Sequence, residues 1–181
     1  MEPLDRVLFR ALRAALGLTA EEGSRHLMRS YQDSPPANPG PGMNVCYYQI
    51  VTEARGKVLT EKTVEENVVR FFDFVPGRII LVFYGPDCER WAHRCREFLF
   101  LDGYGMPRKI LREAGIFPVP DMYAPSVVYE EIGKSWRKRA DLVVSVRIRM
   151  NEEYGSVISG ESSEVSTVAE APEVVVDAGG I

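Results

Sequence analysis

Three residues in one short stretch, Cys88, His93 and Cys95, could in principle bind a metal ion. Thiolates and imidazoles are the usual zinc ligands, but a structural zinc site needs about four ligands that converge on one point. The stretch has the periodicity of a helix, which places the two cysteines on an apolar arc and His93 on the polar side. The Cys-x₂₋₄-Cys spacing of zinc sites is absent too. The sequence therefore predicts no metal site and two buried thiols.

Covalent catalysis and nucleotide binding have no better support in the residues. The chain has three cysteines and two histidines, with no acid placed to orient a histidine toward a thiol. The single Gly85 lacks the second and third glycines of a dinucleotide-binding loop. The adjacent acids Glu65-Glu66 and Glu130-Glu131 would point to opposite faces of a strand and could not act together. We therefore expect no enzymatic activity and no cofactor.

The stretch from Lys134 to Arg139 is the best candidate for a functional surface, because a tryptophan stands among four cations there. Trp136 could stack on nucleic-acid bases while the cations contact phosphates. Alternatively, Trp136 packs at the end of a sheet and the cations pair with Asp141, with Glu130 or with acids of a partner. The second interpretation is favoured, because the rest of the chain is not basic.

The charge of the chain is divided unevenly along its length. The net charge is −4, and residues 151–181 hold seven acids with no Lys or Arg, which leaves 22 basic against 19 acidic residues in the first 150. This distribution is not typical of a nucleic-acid-binding protein. Three irregularly spaced cysteines argue against a disulfide framework. No apolar run approaches the ~18 residues of a membrane span, so we expect neither membrane insertion nor secretion.

The central element of the predicted fold is the apolar run Arg78–Tyr84, which is typical of a strand buried in the middle of a sheet. Gly85 at the N-cap and Pro86 at the first helical position then predict a helix that continues to Leu99. Because its apolar residues form one narrow arc, this helix should lie along one face of the sheet.

The other predicted elements complete an α+β fold. It has a mainly antiparallel or mixed central sheet, helices packed on one face, a long β-hairpin arm and an extended C-terminal tail. Residues 1–150 are expected to form the domain, and residues 151–181 an acidic extension. The elements are a helix over Pro3–Leu16 ended by Gly17, a capping box at Thr19 and Glu22, strands Asn44–Ala54 and Thr63–Val75 joined around a tip at Arg55–Lys62 and ended by Pro76-Gly77, a helix over Pro107–Ala114, a strand Ser126–Ile132, a basic turn Gly133–Lys138 and a strand Asp141–Met150.

Several residues outside the predicted core are candidates for contacts between subunits. Phe100 and Leu101 fall on the polar side of the helical wheel, so either the helix has ended or these residues face another subunit. Arg147 and Arg149 alternate with core residues on the last strand. The run Val174–Val176 favours a strand but has no core of its own.

Four of these features occur in a fixed order. They are an N-terminal helix, the segment Tyr31–Pro36 leading into an extended stretch, a strand that ends in Tyr84–Asp87 before a helix, and a strand beginning Arg139–Leu142 after a basic turn. In this order the chain resembles the neck or tail terminators of tailed bacteriophages. The resemblance covers about residues 4–150 and does not include the acidic extension.

The resemblance implies a structural virion protein of the phage tail or neck, made in the host cytoplasm and without catalysis. Such proteins form a ring, commonly a hexamer, that caps the tail tube and joins it to the head connector. A contact with a sheath is a further possibility, and genome DNA would pass through the lumen without sequence-specific binding. The candidate interface residues are Phe100, Leu101, Lys134, Trp136, Arg137, Arg139, Arg147, Arg149, Val174, Val175 and Val176.

Two other functional classes stay open at the level of sequence. One is a small cytoplasmic enzyme or ligand-binding domain with a pocket under the run Phe71–Phe74. The other is a nucleic-acid-binding module that uses Trp136 and its cations. A co-purifying ligand would support the first, and salt-dependent DNA binding would support the second.

Overall fold

A mixed sheet with helices packed on one face forms the described part of the chain, which confirms the predicted α+β fold. A computed structural model describes residues 2–31, 40, 42–53, 61–65, 68–100, 106–120, 124–132 and 135–154, with the backbone alone for 61–65, 68–73, 100, 135 and 151–154. The helices are α1 (Leu4–Leu16), α2 (Ala20–His26), α3 (Cys88–Phe100) and α4 (Met106–Glu113). The strands are β1 (Leu27–Arg29), β2 (Val45–Thr52), β3 (Glu61–Glu65), β4 (Val68–Tyr84), β5 (Ile116–Pro118), β6 (Ser126–Ile132) and β7 (Ser135–Tyr154).

Strand β4 lies at the centre of the sheet, whose order is β1-β2-β4-β7-β5. On one side its last eight residues run antiparallel to β2, from Gly77 opposite Thr52 to Tyr84 opposite Val45. On the other side β4 runs antiparallel to β7 along almost its whole length. Strand β1 pairs with β2 in parallel, which makes the sheet mixed. The run Arg78–Tyr84 is therefore a central strand, as its composition predicts.

Helix α1 follows the predicted pattern closely. Its apolar stripe is buried among α3, α4 and the strands β1 and β2, and Gly17 ends it in the left-handed conformation with φ +68°. The capping box at the start of α2 is confirmed as well, since the Thr19 hydroxyl accepts from the Glu22 backbone N–H and the Glu22 carboxylate accepts from that of Thr19. Both outcomes depend on local sequence alone, which is why the sequence predicts them.

The predicted end of a strand at Pro76-Gly77 is wrong, because β4 passes through both residues. Pro76 lacks an N–H donor, but its carbonyl accepts from the Glu53 backbone N–H at 2.8 Å. A Cβ on Gly77 would lie 2.7 Å from the Val51 carbonyl oxygen, so glycine permits this close packing. As a result β2 pairs with residues 77–84 and not with Thr63–Val75.

The predicted arm is therefore built differently from the expected hairpin. On the N-terminal side of Gly77, strand β4 no longer pairs with β2, but it stays paired with β7 as far as Val69, which lies opposite Tyr154. Strand β3 joins it through a short connection, with Glu65 opposite Val68. Residues 54–60, most of the predicted tip, lie outside the described residues.

Helix α3 begins two residues later than Gly85 and Pro86 suggest. The Trp91 backbone N–H donates to the Asp87 carbonyl at 2.9 Å, so Asp87 occupies the N-cap and Gly85 belongs to the preceding turn. Gly85 adopts φ +107°, and a Cβ there would lie 2.5 Å from the Met43 carbonyl oxygen. The turn therefore requires glycine for both its conformation and its packing.

Strand β7 is longer than predicted at both ends. The residues Ser135–Lys138, expected as part of a basic turn, form its beginning and pair with β6. At its other end β7 continues past residue 150, the predicted domain boundary, as far as Tyr154. The predicted alternation is confirmed, since Leu142, Val144, Val146 and Ile148 are buried while Val143 and Arg147 are exposed.

Candidate assembly surface

Strands β6 and β7 form a hairpin that extends beyond the central strand. They pair from Ser126 opposite Asp141 to Ile132 opposite Ser135. Strand β4 pairs with β7 only as far as Arg139, which lies opposite Tyr84. The first four residues of β7 therefore have β6 as their only neighbour among the described strands. We call residues 126–141 the projecting hairpin.

A network of three hydrogen bonds fixes the base of the projecting hairpin to β4. The Tyr84 hydroxyl donates to Glu130 Oε2 at 2.8 Å, and Arg139 donates to the same oxygen at 2.9 Å and to Asp141 Oδ2 at 2.8 Å. The hydrogen bond from Tyr84, together with Arg139, lowers the pKa of Glu130 below its ordinary value. The Glu130 carboxylate therefore joins β6 to both β4 and β7 close to the point where the hairpin extends beyond β4.

Two cations of the projecting hairpin, Lys138 and Arg139, form ion pairs within the chain. Lys138 donates to Glu89 of α3 at 2.6 Å, and this hydrogen bond lowers the pKa of the Glu89 carboxyl. Arg139 is paired with Glu130 and Asp141. The pairs of Arg139 confirm the expected contacts with Glu130 and Asp141, and Lys138 pairs with a different acid, Glu89. Lys134 lies outside the described residues.

Trp136 does not pack at the end of the sheet, so that expectation is wrong. Its side chain is 70% exposed, because it lies opposite Glu131 on the part of the hairpin that extends beyond β4. Tyr129, 64% exposed, lies opposite Lys138 and is thus a diagonal neighbour of Trp136 on the same face. The projecting hairpin therefore presents two exposed aromatic side chains side by side.

A small cavity lies beside the hairpin, between Met43, Pro86 and Trp136. Its volume of about 160 Å³ is below the roughly 300–1,000 Å³ typical of ligand pockets. The side chains of Phe71 and Phe72, under which a pocket was expected, are outside those described, and Phe74 packs edge-on against Phe117 at 5.8 Å. At this volume the cavity beside the hairpin does not support a small-molecule site at that place.

The other candidate residues lie far from this hairpin or outside the described part. Arg147 is exposed and Arg149 half-buried, both on the sheet face opposite the core residues of β7. Phe100 belongs to α3, so the helix has not ended there, but its side chain is not among those described. Leu101 and Val174–Val176 also lie outside the described residues.

The two cysteines and the histidine of α3 occupy the places that the helical wheel predicts. Cys88 and Cys95 are buried and His93 is exposed. Burial raises the pKa of Cys95 to about 12, and the pKa of Cys46 is raised well above its ordinary value for the same reason. Within the described ranges, no three potential ligands from His, Cys, Asp and Glu come together in a way that could hold a metal ion.

Sequence reasoning missed part of this surface. Val127, Val128 and Tyr129 of β6 are all exposed, although none was a candidate. The signal that could have found them is a run of three consecutive apolar residues, since the apolar residues of a half-buried strand alternate with polar ones.

Of the helices that the structure describes, none has the length and apolar character needed to cross a membrane.

Comparison with known proteins places this architecture in a family. The family model for the phage neck terminator protein matches residues 6–177. Among curated proteins, no significant match is found. The family match extends well beyond residue 150, where the resemblance in the sequence ends, and thus includes most of the acidic extension. The chain belongs to the phage neck terminator protein family, and it is a structural component of the bacteriophage neck.

Proposed function

We propose that the protein is a subunit of a closed ring, commonly a hexamer in such proteins, that caps the tail tube and joins it to the head connector. The observation that carries this proposal is the family match over residues 6–177. The net charge of −4 and the ion pairs of Lys138 and Arg139 favour structural contacts with proteins over nucleic-acid binding.

The projecting hairpin supports the proposal because it presents aromatic side chains on a fixed support. Tryptophan and tyrosine are enriched among the residues that dominate protein–protein binding energy. Trp136 and Tyr129 are both exposed, and the network around Arg139 holds the base of their hairpin. A surface that is already ordered loses less conformational entropy when a partner binds.

The C-terminal extension would supply a second contact between subunits. Residues 151–181 hold seven acids and no cation, so their attraction to basic groups of a neighbour weakens at high salt. The interfaces around a ring are head-to-tail, so one contact of this kind repeats around the ring and closes on itself.

Mass measurement of the purified protein, alone and with the tail-tube and connector proteins, tests the ring directly. We expect a mass equal to a small whole number of subunits under at least one of these conditions. Trp136→Ala should weaken assembly without lowering the melting temperature, because Trp136 is 70% exposed. Tyr31→Ala is a matched control, since Tyr31 is 80% exposed and distant in sequence from the hairpin. A monomer under every condition would contradict the proposal.

Removal of the protein from an infecting phage tests its position in the neck. Without a terminator ring, we expect tails of uncontrolled length or tails that are not joined to heads. Electron microscopy of the lysate distinguishes these particles from normal ones. Normal, infectious particles would show that the neck does not need this protein.

A further inference from the structure

We propose that the outer edge of β6 binds the segment Glu173–Asp177 of a second copy, which adds to the sheet as an extra strand. This inference rests on the proposed ring, and it identifies where one subunit receives the C-terminal extension of the next. Addition of a strand to an exposed sheet edge is a recurrent mode of peptide recognition, in which main-chain hydrogen bonds supply much of the affinity.

The pairing of the strands restricts the edges that could accept such a segment. Strand β7 has β4 on one side, and on the other β6 pairs with Ser135–Asp141 and β5 with residues 146–148, which leaves no run of more than six residues without a partner strand. Strand β4 is excluded, because β2 and β3 pair with it opposite β7. The described strands with one unpaired side are β1, β3, β5 and β6, with three, five, three and seven residues. Strand β6 is thus the longest edge in the described part of the fold.

The first four residues of β6, Ser126–Tyr129, carry no charged side chain that would protect this edge. Val127 and Val128 are 40% and 38% exposed, and both neighbour the exposed Tyr129. Natural edge strands are usually shielded by lysine, proline, a bulge or a covering loop, because an exposed apolar edge pairs with other chains. Strand β6 contains neither lysine nor proline, and its two acids, Glu130 and Glu131, lie at the end near the hairpin tip. An edge of this kind is expected to be covered in the working assembly.

The segment Glu173–Asp177 has the composition required of the added strand. It contains three consecutive valines, and valine is among the residues that most favour strands. No other stretch outside the described residues holds three consecutive β-branched residues. Valines on the added strand would lie beside Val127 and Val128, and pairs of β-branched residues stabilise adjacent strands. Glu130 is already bound by Tyr84 and Arg139, which reduces its repulsion of the acids in the segment.

The path of β7 favours a second copy as the donor. From Arg139, which lies opposite Val128, to Tyr154 the strand has fifteen residue steps, which span about 50 Å. The twenty steps from Tyr154 to Val174 reach at most about 70 Å when fully extended. To reach Val128 of its own subunit, the extension would therefore have to double back and use about 50 of these 70 Å, which costs conformational entropy. The β6 of a neighbouring subunit carries no such constraint.

Disulfide cross-linking between two differently sized copies tests this contact. One full-length copy carries Val128→Cys and a size tag, and the other carries Val175→Cys. The three native cysteines are buried, so they should not compete. Val127→Cys and Tyr129→Cys repeat the test on the opposite face of β6. Both faces are tested because successive side chains of a strand alternate, so a cysteine at position 175 can meet only one of them. Val143→Cys is the control, since Val143 is 45% exposed but lies on β7.

We expect a disulfide between the two copies from the positions of one face of β6, and at least tenfold less from Val143→Cys. Equal cross-linking from Val143→Cys, or none from any position of β6, overturns the proposal. A disulfide between two copies that both carry Val128→Cys would show instead that β6 pairs with β6, which also overturns it.

A chain that ends at residue 172 separates this proposal from the proposed ring. If the shortened chain forms the same ring with the same resistance to dilution, the β6 contact is wrong while the ring is correct. If the cross-link forms but no closed ring is found for the full chain, the β6 contact is correct and the ring is wrong. The expected result is a ring that dissociates at several-fold higher protein concentration than the full-length one.

Discussion

Asn44 and Asp87 are joined by two hydrogen bonds, although they are 43 residues apart in sequence. The Asn44 side-chain amide donates to Asp87 Oδ2 at 2.9 Å, and its carbonyl oxygen accepts from the Asp87 backbone N–H at 2.8 Å. Asn44 immediately precedes β2, and Asp87 immediately precedes α3. The bonds therefore fix the start of the helix relative to the sheet, and they satisfy a backbone donor at the helix start.

The first prediction concerns this pair. Asn44→Ala removes both hydrogen bonds and leaves the Asp87 groups without these partners, so the free energy of unfolding should fall by about 1–3 kcal/mol. Thermal unfolding measures the loss, which corresponds to roughly 2–4 °C per kcal/mol at this chain length. Glu97→Ala on the exposed side of α3 is the control and should stay within about 0.5 kcal/mol. Equal effects of the two changes would show that the Asn44 bonds contribute nothing specific.

The second prediction concerns the turn before α3. Gly85→Val should lower the free energy of unfolding by well over 1 kcal/mol, because φ is +107° and a Cβ would meet the Met43 carbonyl oxygen at 2.5 Å. Gly40→Val provides a comparison, since nothing lies within 4 Å of a Cβ added there. Denaturant unfolding of both variants gives the difference. An unchanged stability of the Gly85 variant would mean that this turn relaxes without cost.

The sequence predicts what depends on nearby residues. The buried arc of α3, the cap at Gly17 and the alternation of β7 follow from periodicity and local hydrogen bonding, and all three are confirmed. The start of α3 was misplaced because the residue that holds it, Asn44, is distant in sequence. The continuity of β4 through Pro76-Gly77 was missed because its reason is the close approach of Val51. Neither contact can be recognised from the residues that are neighbours in the sequence.

The candidate surface was predicted in part. The composition of Lys134–Arg139 indicated a special stretch, and the pairing of its cations was expected. The exposure of Trp136 was not, because it depends on how far β4 extends beside β7. The role of the valines at 174–176 stays a prediction, since they lie outside the described residues.

The third prediction is a dependence of stability on pH. The Tyr84 hydroxyl and Arg139 lower the pKa of Glu130 from its ordinary value of 4.5, so the ionised carboxylate stabilises the fold. This contribution is present above pH 4.5 and is lost as the pH falls through the lower pKa of the folded state. Tyr84→Phe should therefore destabilise the protein most near neutral pH, with a smaller difference in acid.

Unfolding in urea at several values between pH 7 and pH 3 measures this difference. Tyr31→Phe is the control, because Tyr31 is exposed and its variant should match the parent at every pH. A difference between Tyr84→Phe and the parent that does not change with pH would show that the hydroxyl does not act through the charge of Glu130.

The fourth prediction concerns the three cysteines. All are buried, and burial raises the pKa of Cys95 to about 12, so thiolate is scarce near neutral pH. A thiol reagent such as Ellman's should find no fast-reacting cysteine in the native protein and three after unfolding. His93→Ala should change neither result, because His93 is exposed and turned away from both cysteines of α3. Stoichiometric zinc in elemental analysis, lost in this variant, would contradict the expected absence of a metal site.

The last prediction concerns where the body of the protein ends. A chain ending at Tyr154 keeps all the described pairs between β4 and β7, whereas one ending at Met150 loses those of residues 151–154 with Val69–Phe72. We therefore expect the first to unfold at the same temperature as the full chain, and the second to expose the arm to proteolysis around β3.

Both shortened chains should assemble into rings more weakly than the full chain, and the acidic extension makes the loss depend on salt. For this reason the full-length ring should weaken as salt is raised, while the residual assembly of the shortened chains should change less. Limited proteolysis followed by mass spectrometry measures the first effect, and sedimentation at low and high salt measures the second. Full-strength assembly of the chain ending at Tyr154 would show that the contacts between subunits lie entirely within the folded body.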